Sequence, residues 1–357
     1  EIQPAEVDWV AGAPRSISFG DIYFSGDGLA ECRHVFLDGN DLERRFAEAR
    51  GPFVIGELGF GTGLNILAAI ELWRREKKDP GARLEFLSIE KHPLRPADLR
   101  RAHEAWPELA ALSATLQAAY PPLVSGIHRL DLDTDVALTL VFGDAAGALP
   151  TLEAVVDAWF LDGFAPSRNP SMWRPEVAAE LARLSAPGAT AATFTVAGEA
   201  RRTFEAAGFV VAKRAGYGRK REMLAARLSR QPQRSRRAPW FESDQRPLRR
   251  GAEVAVIGAG IAGASLACAL SRVGLSPTLI DPLGIAGGAS GNPAGLIMPR
   301  LDLGGMPAAR FFRSAYVQAV AAIDRLDTDG AQFLNRCGAL LKATSADGRL
   351  KQEKIAA

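Results

Sequence analysis

Apolar residues in the first two thirds of the chain form short runs that alternate with longer stretches of helical periodicity. The short runs read FVIGEL, LEFLSIE, VALTLVF, DAWFL and GATAATFT, and the stretches between them include LNILAAIELWRR and PEVAAELARL. Strands that alternate with helices predict an α/β domain with a parallel, doubly wound sheet. The last two runs, FVVAKRAG and REMLAARL, are joined by the short turn GYGRK, which predicts an antiparallel final hairpin.

A glycine turn joins the first of these strands to the first long helix. It reads ELGFGTGLN, with Glu57 followed by Gly59, Gly61 and Gly63 and then by Asn65. A strand that enters a glycine turn and leaves into a helix forms a nucleotide cradle in Rossmann-like folds. The dinucleotide pattern is G-x-G-x-x-G, whereas here the spacing is G-x-G-x-G behind a carboxylate that suits a cationic ligand or a ribose. We therefore expect these residues to bind S-adenosylmethionine rather than NAD; the alternative is close backbone packing without a ligand.

Acidic residues follow three later strands of the same domain. Glu90 ends LEFLSIE, 27 positions after the third glycine, where an acid accepts hydrogen bonds from both ribose hydroxyls of a nucleoside. Asp144 closes VALTLVFGD and is placed to accept a hydrogen bond from an adenine amino group. Asp162 follows the next strand, and Phe164 lies two residues on. For Glu90 the alternative is an ordinary surface glutamate, but its combination with the glycine turn favours a nucleoside site.

The pattern breaks after residue 230 and then resumes. Residues 231–250 read QPQRSRRAPWFESDQRPLRR, without periodicity, which predicts a linker. A strand, the turn Gly258-x-Gly260-x-x-Gly263, a helix and a strand ending in Asp281 follow, so the dinucleotide pattern has its required context. Asp281 lies 18 residues after the third glycine and is expected to bind a ribose; a strand-end cap is the alternative. The small-residue loop GIAGGASGNPAG lets backbone approach a flat cofactor.

Composition narrows the class of protein without changing this picture. The chain has 357 residues, 47% of them apolar, which suits two globular domains. Three widely separated cysteines indicate a reducing compartment, and four histidines without zinc-like spacing give no reason to assign a metal. No charged segment followed by an apolar core opens the given sequence, so we do not expect secretion, and the apolar stretch Val254–Leu270 is better explained by its nucleotide-binding glycines than by a membrane span. We expect a cytoplasmic monomer.

Positive charge is concentrated in one segment, although the net charge is only +2. Between Lys213 and Arg250, which we call the basic belt, 13 lysines and arginines face three acidic residues. Such a belt suggests a polyanionic partner, and a solvated linker is the alternative. At the other end of the domain, residues 1–50 are expected to hold a small hairpin over Ser16–Asn40 beside the site. We interpret Tyr23, Phe24 and Glu31 as candidate substrate contacts, with simple packing as the alternative.

Several strings together resemble one family, the bifunctional tRNA 5-methylaminomethyl-2-thiouridine biosynthesis proteins, MnmC. They are DIYFS, ELGFGTGLN, DGFAPSRNPSMW, GRKREM, and the pair VIGAGIAG with GASGNPAG, and they span the chain from about Asp21 to Ala357. DGFAPSRNPSMW and GASGN are specific, whereas either glycine turn alone is a weak signal. The final pair of antiparallel strands also matches the topology of class I methyltransferases.

The resemblance implies an S-adenosylmethionine-dependent methyltransferase over residues 1–230, the linker 231–250, and a FAD-dependent oxidoreductase related to D-amino-acid oxidases over 251–357. Residues 251–357 are too few for a whole flavin domain of this type, so we expect an incomplete one. The implied substrate is the wobble uridine of certain tRNAs. The flavin domain removes a carboxymethyl group from the side-chain amine, and the methyltransferase then methylates that amine.

Methyl transfer to an amine requires alignment of the two reactants more than strong acid–base chemistry. Asp162 would hydrogen-bond the amine and stabilise the developing positive charge, a role that needs no strongly shifted pKa, while Phe164 would stack on uracil. Lys220 and Arg221, in GRKREM, are interpreted as substrate contacts. Two other functions remain open: a flavin-linked amine oxidase based on Gly258 to Asp281, and a nonenzymatic RNA-binding module based on the basic belt.

Overall fold

The computed structural model describes residues 2–24, 26–218, 220–230, 248–299, 307–326, 333–338 and 342–356. Contacts divide the chain into two compact units, Glu1–Arg234 and Ser235–Ala357. Residues 231–247, which form most of the predicted linker and a large part of the basic belt, lie outside the described residues.

The first unit begins with a small antiparallel sheet and a helical segment. The strands are β1 (Val7–Val10), β2 (Ala13–Ser16) and β3 (Asp21–Ile22), and the segment contains α1 (Gly28–Cys32), a π-helical turn, a 3-10 turn and α2 (Leu42–Glu48). The hairpin expected over Ser16–Asn40 is therefore wrong beyond its start, because within this range β2 pairs only with β3 and residues 28–40 are helical. Residues 28–40 are helical because the Asp27 side chain caps α1, where it accepts a hydrogen bond from the Ala30 amide, and because Val35 and Phe36 are buried in the core.

Eight strands form the main sheet. In chain order they are β4 (Pro52–Leu58), β5 (Arg83–Glu90), β6 (Gly126–Asp131), β7 (Val136–Phe142), β8 (Val156–Leu161), β9 (Ser185–Thr193), β10 (Phe209–Ala215) and β11 (Glu222–Leu228). Their order across the sheet is β10-β11-β9-β8-β4-β5-β7-β6. The pairs from β9 through β8, β4 and β5 to β7 are parallel, and β10 and β11 form an antiparallel hairpin, which confirms the prediction. The antiparallel edge strand β6 was not predicted.

Helices cover both faces of this sheet. They are α3 (Leu64–Glu76), α4 (Pro96–His103), α5 (Ala110–Ala119), α6 (Ala145–Ala148), α7 (Pro175–Leu184) and α8 (Gly198–Ala206). Side chains of β8 alternate between two cores: Phe160 packs in the core that contains α3, whereas Trp159 and Leu161 pack in the core that contains α7 and α8. The indole of Trp159 lies across Gly56 of β4, where any Cβ would overlap the ring.

The second unit starts with the strand, turn and helix that the glycine pattern predicts. Strands β12 (Glu253–Ile257) and β13 (Ser276–Ile280) are parallel, and α9 (Ile261–Arg272) connects them. Two further helices are α10 (Pro307–Asp324) and α11 (Ala346–Ala356). The apolar stretch Val254–Leu270 is thus divided between β12 and α9. Within the described part of the chain, no helix is long and apolar enough to cross a membrane.

Candidate functional site

A cavity of about 710 Å³ lies in the first unit, where β4, β5, β7 and β8 end. Ligands of open α/β sheets bind outside the carboxyl ends of the strands, and this volume is typical of small-molecule sites. Six acidic residues line the cavity: Asp21, Asp27, Glu31, Glu90, Asp144 and Asp162. An acidic wall suits a ligand that carries positive charge, such as a sulfonium ion or an amine.

The glycine turn forms one side of the cavity because its backbone packs closely on the end of β8. Gly59 has φ of +89°, and a Cβ at this position would overlap the carbonyl oxygen of Asp162. Only glycine satisfies both conditions. Gly61 donates its amide hydrogen to the Glu90 carboxylate at 2.9 Å, and Gly63 precedes the first residue of α3 with φ of +73°.

Asn65, in the first turn of α3, joins two carboxyl groups. Its Nδ2 donates to Oε1 of Glu57 at 3.1 Å and to Oδ2 of Asp162 at 2.6 Å, and Ser88 donates to the other oxygen of Glu57 at 2.6 Å. Burial raises the pKa of Glu57 to about 8. Glu57 is not among the described residues that line the cavity. Glu57 therefore holds the side chain of Asn65 by a hydrogen bond from outside the cavity lining, whereas we expected from the sequence that it would contact the ligand directly.

Asp162 is held at the cavity wall beside the glycine turn. Burial raises its pKa to about 6, against a smaller lowering by the hydrogen bond from Asn65, so the carboxyl is ionised at neutral pH. The sequence argument did not require this shift. The ring of Phe164 also lines the cavity, where it packs against Phe19 at 4.7 Å and Tyr23 at 5.4 Å between ring centroids. The structure thus brings both predicted catalytic side chains to one cavity.

Glu90 and Asp144 lie at the ends of β5 and β7, on the same cavity. Glu90 accepts the amide hydrogens of Gly61 and His92, the latter at 2.7 Å. These bonds fix its carboxylate between the glycine turn and the residues that follow β5. Asp144 accepts from the Ala146 amide and pairs with Lys91 at 2.9 Å. Burial raises the pKa of Asp144, but the hydrogen bond and charge of Lys91 and the backbone hydrogen bonds from Ala146 and Gly147 together outweigh it, so the net shift of the pKa is downward. Both carboxylates keep lone pairs for a nucleoside.

The predicted substrate contacts divide into two groups. Tyr23, Phe24, Glu31 and Lys220 line the cavity, whereas Arg221 is exposed and is not among its described lining residues. Sequence reasoning missed other lining residues, among them Asp27, Cys32, Lys91, Phe194 and Tyr217. The signal for Tyr217 was present in the turn GYGRK, which we used only to predict the hairpin.

In the second unit, the predicted residues meet at the turn between β12 and α9. Gly258 has φ of +101°, and a Cβ on Gly263 would overlap the Gly258 carbonyl oxygen, so the turn requires glycine at both positions. Oδ2 of Asp281 accepts the Ala259 amide hydrogen at 2.8 Å. At the start of α9, the Ile261 amide donates to the Ser290 hydroxyl at 3.0 Å. This amide is the kind of donor that binds a phosphate oxygen of a dinucleotide, so the turn fits FAD.

A search of the described ranges for three or more His, Cys, Asp or Glu side chains placed to hold a metal ion finds none.

Comparisons with known proteins agree with both units. Residues 107–229 match the family model of an S-adenosyl-L-methionine-dependent methyltransferase, and residues 253–357 match that of a FAD dependent oxidoreductase. S-adenosylmethionine and FAD are thus the cofactors of the two matched families. The chain is similar to the tRNA 5-methylaminomethyl-2-thiouridine biosynthesis bifunctional protein MnmC of Caulobacter vibrioides, with 50% identity over 311 residues, 87% of this chain and 50% of the relative.

A second relative, the MnmC protein of Pseudomonas paraeruginosa, is 46% identical over 364 residues, which cover 100% of this chain and 55% of the relative. The chain therefore spans about half the length of the curated relatives it matches. Among solved structures, MNMC2 from Aquifex aeolicus matches with a TM-score of 0.50 and 22% identity, over 64% of this chain and 72% of that chain. At this identity the match supports the fold only.

Proposed function

The chain belongs by sequence to the MnmC family, and on that premise we propose that its first unit methylates the primary amine of a 5-aminomethyl uridine at the wobble position of tRNA, with S-adenosylmethionine as donor. One observation carries the proposal. Asp162 presents an ionisable, partly buried carboxyl to the cavity beside a glycine turn that fits the cofactor, and Asn65 fixes its orientation.

S-adenosylmethionine, when bound, supplies an electrophilic methyl group on sulfur. The protein must therefore hold the amine in line with that methyl group and leave the nitrogen lone pair free. Asp162 accepts a hydrogen bond from the amine and stabilises the positive charge that develops on nitrogen. Glu90 and Asp144 would hold the ribose hydroxyls and the adenine amino group of the cofactor, and the ring of Phe164 would pack on the uracil.

Transfer of label from S-adenosylmethionine to tRNA that carries 5-aminomethyl uridine tests the proposal with the full chain. We expect the native chain to label the tRNA and Asp162→Asn to reduce the rate by about 100-fold, since it removes a charge aimed at the transition state. Asp133→Asn, which removes a surface carboxylate paired with Arg74, is the control and should retain activity. Absence of transfer by the native chain, or full activity of Asp162→Asn, contradicts the proposal.

For the second unit we propose FAD binding at the Gly258–Gly263 turn, with oxidation of the carboxymethylated amine as the reaction of the bifunctional enzyme. The observation in its favour is that β12, the glycine turn and α9 are followed by β13, after which Asp281 accepts a hydrogen bond from the Ala259 amide of the turn. Flavin absorbance that copurifies with the full chain and is lost in Gly263→Val supports it; a chain that cannot be loaded with FAD contradicts it. The runner-up, a nonenzymatic tRNA-binding module, predicts salt-sensitive tRNA binding that survives loss of both nucleotide sites.

A further inference from the structure

The turn between β10 and β11 is tied across one end of the cavity to the segment that contains α1. Tyr217 donates its hydroxyl hydrogen to Asp27 at 2.8 Å, and Nζ of Lys220 donates to Oε1 of Glu31 at 2.8 Å. All four of these residues line the cavity. The two cross-links therefore place part of the final hairpin directly over the acceptor end of the proposed active site.

Lys220 holds a primary ammonium between a carboxylate and an aromatic face. Besides the contact with Glu31, its Nζ lies 4.1 Å from the ring centroid of Phe194, which also lines the cavity. A carboxylate and an aromatic face are the two groups that bind alkylammonium ions in proteins. This end of the cavity thus has the two groups that bind a primary ammonium, and in this structure the ammonium of Lys220 is bound there.

The two partners differ in how firmly the fold holds them. The Glu31 side chain on α1 is 19% exposed, whereas that of Lys220, on the turn, is 49% exposed. Glu31 raises the pKa of Asp162 and Lys220 lowers it, so both charges act on the proposed catalytic carboxyl. Glu31 is therefore the more enclosed partner in the cavity wall, and Lys220 is a side chain that solvent already reaches.

We propose that Glu31 determines substrate specificity by binding the ammonium form of the acceptor amine, and that Lys220 occupies this position until the substrate displaces it. The inference rests on the proposed function, in which the acceptor is a primary amine on a methylene carbon, as Nζ of Lys220 is. Displacement brings the nitrogen beside Glu31 and Asp162, where transfer of one proton to solvent water frees the lone pair for attack. A neutral group of the same size, such as a hydroxymethyl, cannot replace the ammonium in this contact.

The test is the affinity of the full chain, with S-adenosylhomocysteine present, for two short RNA hairpins that differ in one group. One hairpin carries 5-aminomethyluridine and the other 5-hydroxymethyluridine. The native chain should prefer the amine by about tenfold or more, because the hydroxyl can donate a hydrogen bond to Glu31 but lacks the positive charge that forms the ion pair. Glu31→Gln should reduce this preference to about twofold. Lys220→Ala should tighten amine binding about three- to fivefold relative to hydroxymethyl binding, since a partly exposed ion pair no longer competes.

Lys213→Ala is the matched control, because it removes a positive charge and an ion pair, that with Glu222 at 2.7 Å, from the same hairpin. Lys213 belongs to the basic belt but is absent from the described lining of the cavity, so its loss should weaken both hairpins equally and leave the amine preference unchanged. Thermal unfolding followed by tryptophan fluorescence verifies that each variant is folded.

The inference is overturned if Lys220→Ala behaves as Lys213→Ala does, if Glu31→Gln keeps the full amine preference, or if the native chain shows no preference. Methyl transfer by a native chain without that preference contradicts the inference alone. A native chain that prefers the amine but transfers no methyl group contradicts the proposed function and leaves the inference standing.

Discussion

Replacing Asn65 by leucine removes both hydrogen bonds that connect Glu57 to Asp162 and keeps the approximate volume of a side chain that is 4% exposed. These bonds lower the pKa values of both carboxyls. Loss of these bonds should therefore lower the free energy of unfolding most at pH values at which the carboxyls are ionised. Hydrogen bonds to charged groups contribute about 1.5–3 kcal/mol each and neutral ones about 0.5–1.5 kcal/mol.

The direction in which this loss of stability changes with pH follows from proton linkage. A carboxyl whose pKa is raised by folding contributes stability below its unfolded pKa, and that contribution is lost as the pH rises through the folded pKa, here about 6 for Asp162 and about 8 for Glu57. Asn65→Leu raises both folded pKa values further, so the loss of stability continues to higher pH and becomes larger. We expect the free energy of unfolding to fall by about 3 kcal/mol at pH 8 and by about 1–2 kcal/mol at pH 5.

Urea unfolding of the full chain, followed by tryptophan fluorescence, measures this difference, because the fully buried Trp73 and Trp159 lie in the first unit. Asn40→Leu is the matched control. The Asn40 side chain is 0% exposed, and its Nδ2 donates to the carbonyl oxygens of Phe36 and Trp159, which do not titrate. Its cost should be the same at both pH values. An equal cost of Asn65→Leu at pH 5 and pH 8 would refute the reasoning.

Three further predictions test other parts of the account. Gly56→Ala should destabilise the first unit by about 2 kcal/mol or more in urea unfolding, because the new Cβ overlaps the ring of Trp159. Gly147→Ala is the control and should be neutral or slightly stabilising, because the space around Gly147 is open. Equal effects of the two substitutions would contradict the packing described. Gly59→Ala should weaken S-adenosylmethionine binding at least tenfold in calorimetry, since the glycine turn must move away from the Asp162 carbonyl, and unchanged affinity would refute this. Methyl transfer should decline as the pH falls through about 6, where Asp162 takes up a proton, and the profile of Asp162→Asn should lack this step.

The sequence predicted those parts of the fold that depend on local pattern. Alternating apolar runs located the parallel strands, and GYGRK located the final hairpin, because a short turn leaves two strands no other pairing. β6 was missed since its residues, GIHRLD, mix polar and apolar side chains at the edge of the sheet. The helical segment from Gly28 to Asn40 was missed because its stability comes from burial of Val35 and Phe36 against the core, which a local pattern does not reveal.

The candidate site likewise contains residues that a local pattern predicts and residues whose contacts depend on tertiary structure. Residues at strand ends, such as Glu90, Asp144 and Asp162, were predicted because parallel strands bring their carboxyl ends together. The role of Glu57 differed from the expectation, since the turn of Asn65 at the start of α3 places an amide between Glu57 and Asp162. Contacts between distant segments, such as that of Lys220 with Glu31, depend on tertiary structure and have no local signal.

The central claim is that the first unit methylates an amine under the control of Asp162. Mass spectrometry of nucleosides from tRNA incubated with the full chain and S-adenosylmethionine tests it most directly. We predict that 5-aminomethyl uridine at the wobble position gains one methyl group on its side-chain nitrogen, and that Asp162→Asn leaves it almost unchanged over the same time. An unmodified wobble uridine with the native chain, or a methyl group at another position, would contradict the account.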